Sequence, residues 1–180
     1  MLVALCDAGG ERRIAVYGPI VVSAILFAQP DAAQASAFAV AWAIIAVAGR
    51  RVRETAGAVV AVALAAATLF RPDPLTPVPY VEGILRLAQS QSTRLAVACA
   101  LLLLLMPLPF MLDASQRRLG AALSAYLLCV LLAACVGNYP VPVMGYGTAP
   151  ILGYYLGAAA FLRRSGTRRE CASGVQIRGS

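Results

Sequence analysis

Few side chains in this 180-residue chain could carry out chemistry. There is no His, which excludes imidazole ligands to haem or zinc and every Ser-His or Cys-His catalytic pair. None of the five Cys forms a C-x-x-C pair, so we predict no metal site and no cofactor. The acid–base candidates are Asp73 and Glu82, although solvation and an i,i+4 pair between Glu82 and Arg86 would equally explain them. We therefore assign no catalytic residue and favour a protein that is not an enzyme.

The stretch 138–150 has the most specific residue choice in the chain. Its prolines stiffen the backbone, and its glycines permit positive φ and close backbone approach. A second segment, around residues 72–82, also carries Pro-Val-Pro beside a Tyr. The two segments form either rigid hairpins or a joint surface for a partner or substrate. The candidate binding residues are Asn138, Tyr139, Pro140, Pro142, Gly145, Tyr146 and Gly147 in one segment, and Asp73, Tyr80 and Glu82 in the other.

Within that stretch, residues 142–149 read P-V-M-G-Y-G-T-A. They resemble the P-F-I-S-Y-G-G-S stretch of the FtsW/RodA peptidoglycan polymerases, and they depart from it at the Phe and Ser positions. The resemblance implies an outer hairpin ahead of the final helix, and it does not extend to a polymerase activity. The M-G-Y-G at 144–147 also looks like a potassium-channel filter, but no segment is left for the Thr-rich pore helix that a filter needs.

The elements that must position these residues are membrane helices. Hydrophobic residues make up 61% of the chain and charged residues 13%, against about 45–50% and 25% in soluble domains. We expect an all-α membrane bundle, one domain over 1–162, followed by a basic, disordered tail over 163–180. Some spans are short for a bilayer, so we expect either that flanking residues extend them or that the bilayer is locally thinner. The six predicted transmembrane helices are 14–28, 32–49, 55–70, 95–112, 121–137 and 150–162.

The orientation follows from arginine, because all fifteen basic residues are Arg. With the N-terminus inside, twelve Arg lie on the inner side and three outside, which predicts cytoplasmic termini in a bacterial inner membrane. The charge thus favours membrane orientation over nucleic-acid binding, and the tail is expected to meet anionic lipid headgroups. A second interpretation makes the first span a signal peptide cleaved after the A-x-A at 33–35, which would leave five spans.

Two further patterns concern helix packing. Small residues recur at Gly57, Ala61 and Ala65, and again at Gly153 and Gly157, and such spacing lets helix backbones approach closely in lipid. They pack either within the bundle or against a helix of a membrane-protein partner. In addition, apolar residues at helical spacing over 81–88 predict a short amphipathic helix on the outer membrane surface.

The sequence argues against an ion-coupled carrier, because every acidic residue falls in a predicted loop or at a span end. Our leading hypothesis is a non-enzymatic subunit or assembly partner of an envelope or membrane complex. The alternative is a small transporter or lipid-handling protein for a neutral or lipid-like substrate, with a cavity reaching Tyr126 or Asn138. A third hypothesis is an outer-face enzyme that uses Asp73 or Glu82.

Overall fold

The computed structural model describes residues 14–71, 84–136, 139, 141 and 151–163. All regular elements in these ranges are helical, which confirms the predicted fold class. A single 3₁₀ turn, Ala114–Gln116, precedes α7. The helices are α1 Ile14–Ala28, α2 Ala32–Gly49, α3 Val52–Leu69, α4 Ile84–Gln91, α5 Thr93–Leu105, α6 Leu108–Leu112, α7 Arg117–Val136 and α8 Ile151–Arg163.

Four segments of the described chain are long and apolar enough to cross a membrane: Ala32–Gly49, Val52–Leu69, Thr93–Leu112 and Arg117–Val136. As expected, α3 and α7 extend into the arginines that flank the predicted spans. Helix α8 and the Tyr17–Ala28 part of α1 are apolar but shorter, so a count of six spans stays a prediction.

The packed part of the bundle is built on α2. This helix contacts both α3 and α7 along its length, and α1 packs on α3. Phe38, Trp42 and Ile45 of α2 are almost fully buried at its centre, and the Phe38 and Trp42 rings are nearly parallel with centroids 6.4 Å apart. These large side chains face small ones on the neighbouring helices, so the core is filled without separating the backbones.

The small residues of α3 take part in this packing. A Cβ at Gly57 would lie 3.2 Å from Trp42 Nε1, and Ala61 and Ala65 are buried against alanines of α2. The contacts of Gly57, Ala61 and Ala65 are thus with other helices of the same chain. The predicted membrane-protein partner, bound through these small-residue faces or that of Gly153 and Gly157, stays a prediction.

The predicted span 95–112 is not one continuous helix. It is divided at Met106–Pro107, where hydrogen bonds from Met106 N to Leu103 O and from Phe110 N to Pro107 O replace the regular ladder. Pro107 has no amide hydrogen to donate, so α5 ends at Leu105 and α6 begins at Leu108. The hydroxyl of Ser124 donates to Pro107 O at 3.1 Å, which fastens the break to α7.

Candidate functional site

One described residue of the stretch 138–150, Val141, is only 1% exposed. It packs in a cluster with Leu103 of α5 and with Leu131 and Ala134 of α7, and Leu85 of α4 contacts the same cluster. Part of the predicted outer stretch is therefore held against the helix that follows the other outer segment. This neighbourhood is compatible with joint action of the two segments, which stays a prediction.

Most of the candidate binding residues fall outside the described residues. Tyr139 is described and is half-buried. The short amphipathic helix is found as α4, Ile84–Gln91, which begins later than predicted. The proposed Glu82–Arg86 pair cannot be placed because Glu82 lies outside the described ranges. The other candidate binding residues outside the described ranges are Asp73, Tyr80, Asn138, Pro140, Pro142, Gly145, Tyr146 and Gly147.

At the opposite end of the bundle lies a buried ion pair that sequence reasoning missed. Glu54, in the first turn of α3, is only 4% exposed, and its Oε1 lies 3.2 Å from Nη2 of Arg118 in α7. Arg51 approaches the same oxygen at 3.8 Å from a largely exposed position. Burial of a carboxylate is costly unless it is paired and hydrogen-bonded, so this contact fixes where α3 and α7 meet.

Gly49, the last residue of α2, makes room for the carboxylate. A Cβ built at this position would overlap Glu54 Oε2. The next residue, Arg50, has φ 51°, a left-handed conformation that ends α2 and turns the chain into α3. The sequence did contain one signal: Glu54 is the only acid beside the arginines 50–53, between two apolar spans.

Other polar side chains of the spans bond within the bundle. The Tyr126 hydroxyl of α7 donates to Oε1 of Gln34 in α2, and Gln116 Nε2 donates to Phe161 O of α8 at 2.9 Å. The second contact places the end of α8 beside the start of α7. The arginine-bearing ends of α2, α3, α7 and α8 therefore gather at one end of the bundle. The orientation of this end toward the cytoplasm stays a prediction.

An apolar groove of about 680 Å³ opens on the side of the bundle between α2 and α3. Its lining includes Ala39, Ala43 and Val47 of α2 and Val62, Ala66 and Leu69 of α3. Ser36 is the one polar side chain among the lining residues, and Tyr126 is not among them. The groove is thus a lateral feature, separate from the polar contacts between α2 and α7.

Among the described residues, no group of three or more His, Cys, Asp or Glu side chains is placed to hold a metal ion. No protein-family model matches the chain, and no match is found among curated proteins or solved structures. Its function must therefore be argued from its own contacts.

Proposed function

We propose that this chain is a non-catalytic integral membrane protein that serves as a subunit or assembly partner of a complex in the bacterial inner membrane. Its termini face the cytoplasm in this proposal. The observation that carries it is the small surface that α5 and α6 bury within their own chain. Only 17% of the apolar window in Thr93–Leu112 is buried, although this segment has the highest mean hydropathy of the four candidate spans.

Among the elements that the structure describes, helix α5 packs extensively only against α4, its neighbour along the chain. Leu103 is its one buried side chain, whereas Leu101, Leu102 and Leu105 are all more than half exposed. In lipid, helices associate through close contact rather than through the hydrophobic effect. A span with so little contact inside its own chain retains nearly its whole circumference for a helix of another protein.

The orientation in this proposal is supported by the arginine pattern together with the contact between Gln116 and Phe161 O, which brings two arginine-bearing helix ends to the same side. The buried ion pair of Glu54 and Arg118 lies at that same end.

Site-specific photo-crosslinking in native membranes tests the proposal. A photoreactive residue replaces Leu102 on α5, and the matched control replaces Leu132 on α7, because both leucines are 65% exposed. We expect an adduct with another protein from position 102 and lipid adducts alone from position 132. Lipid adducts alone from both positions, with the chain isolated as a lone monomer in mild detergent, would contradict a role as a complex subunit.

A further inference from the structure

The groove between α2 and α3 ends beside a pair of exposed arginines. We propose that it is a binding site for an anionic phospholipid. One acyl chain lies along the groove, and the phosphate of the headgroup is held by Arg50 and Arg51. This site is distinct from the arginine-rich tail, and it does not depend on the proposed role as a complex subunit.

The shape of the groove fits one lipid chain. Its volume of about 680 Å³ lies within the range of small-ligand sites, about 300–1,000 Å³. It follows α2 from Ser36 to Ala48, a path of about 18 Å at the helical rise, and one leaflet of hydrocarbon is about 15 Å thick. A transmembrane helix of that length is about 10–12 Å wide and occupies roughly 1,700 Å³. It is therefore too large for the groove, which could take up only one ridge of its side chains.

The charge at the end of the groove selects the headgroup. Val47 and Ala48 line the groove in the last turn of α2, and the chain then continues into Arg50 and Arg51. Arg50 forms no salt bridge with any residue that the structure describes, and the Arg51 side chain is 75% exposed with a long 3.8 Å contact to Glu54. Glu54 has a closer partner in Arg118, so Arg51 remains available to a phosphate, which guanidinium groups bind well.

Arg53 provides the matched control. It precedes the lining residue Val62 by about two and a half helical turns, which places it on the opposite face of α3 from the groove. It carries the same charge at the same end of the bundle. Removal of Arg53 alone therefore lowers the general attraction for anionic lipid by as much as removal of Arg51 alone.

The test is native mass spectrometry of the purified full-length chain, released from detergent with equal amounts of phosphatidylglycerol and phosphatidylcholine that have the same acyl chains. Each arginine near the lipid surface contributes about fivefold in affinity for an anionic headgroup. We expect the first bound lipid to be phosphatidylglycerol by at least about fivefold. The preference should fall in R51Q, fall to within about twofold of unity in R50Q/R51Q, and persist in R53Q, which removes the same charge as R51Q.

A second variant tests the acyl chain. Ala66→Leu fills the groove and leaves the arginines in place, so it should lower the binding of both lipids in parallel. Three results would overturn the proposal: equal binding of the two lipids by the unchanged protein, an equal loss of preference in R53Q and R51Q, or a dimer of the unchanged protein that Ala66→Leu dissociates. The last result would assign the groove to a second copy of the chain.

Discussion

Helix α2 and the α5–α6 segment are both apolar enough to cross a membrane, yet they relate to the rest of the molecule in opposite ways. In α2, 56% of the apolar window is buried, against 17% in Thr93–Leu112. The mean hydropathy runs the other way, since the leucine-rich segment is the more hydrophobic. Lipid solvates leucine as well as a protein interior does, so hydrophobicity alone does not draw a helix into a bundle.

Residue size explains the difference. Helix α2 presents alanines to α3, so the two backbones approach closely and dispersion contacts accumulate. Helix α5 carries five consecutive leucines at 101–105, which hold neighbouring backbones apart. Hydropathy does not decide which span is buried: α7 is nearly as hydrophobic as Thr93–Leu112, yet 44% of its apolar window is buried, against 17% in Thr93–Leu112.

The largest predicted effect tests this difference directly. Phe38→Ala in α2 should lower the free energy of unfolding by about 2–3 kcal/mol, at about 24 cal/mol per Å³ of a cavity of about 100 Å³. The cavity term dominates because the unfolded chain also remains in lipid. Leu102→Ala in α5 should change it by less than about 0.5 kcal/mol. Denaturation by a mixed-detergent titration, followed by the fluorescence of Trp42, measures both.

Trp42 is the only tryptophan and is stacked with Phe38, so its spectrum reports on the core itself. If Phe38→Ala and Leu102→Ala lowered the free energy of unfolding of the isolated monomer equally, the exposed leucines of α5 would contribute to its stability. The comparison between α2 and α5 would then be wrong.

A smaller loss of stability is expected at the contact between α6 and α7, which attaches the α5–α6 segment to the bundle. Gly120 of α7 lies against α6, and a Cβ there would overlap the Phe110 carbonyl oxygen. Because a backbone atom cannot move alone, Gly120→Ala should force α6 away from α7 and cost about 1–2 kcal/mol in the same titration.

Gly153 of α8 is the control, since nothing lies within 4 Å of a Cβ built there. Gly153→Ala should leave stability unchanged or raise it slightly, because Ala favours the helix more than Gly does. If Gly120→Ala behaved like Gly153→Ala, α6 would not be anchored at Gly120.

Much of this architecture was predictable from the sequence, because hydrophobic runs and arginines mark where helices lie and end. The bounds of α1 and α2 match the predicted spans, and α4 follows from helical periodicity. Burial was not predictable, since in a membrane protein an exposed and a buried leucine look the same in sequence. The partners of Glu54 were also missed, because its contact with Arg118 joins helices that are far apart along the chain.

That ion pair gives the smallest and sharpest prediction. Glu54 is buried but Arg118 is 33% exposed at the end of the bundle, so water can receive the arginine when the carboxylate is removed. The cost of Glu54→Gln should therefore be about 1 kcal/mol, below the 3–5 kcal/mol seen when a fully buried pair is broken. A double-mutant cycle with Arg118→Gln should show that the two losses are not additive, whereas a cycle with the neighbouring, exposed Arg117 should be additive. Additive losses at Glu54 and Arg118 would mean that α3 and α7 are held in place only through their packing on α2, and that the packed half of the molecule needs no charge at its end.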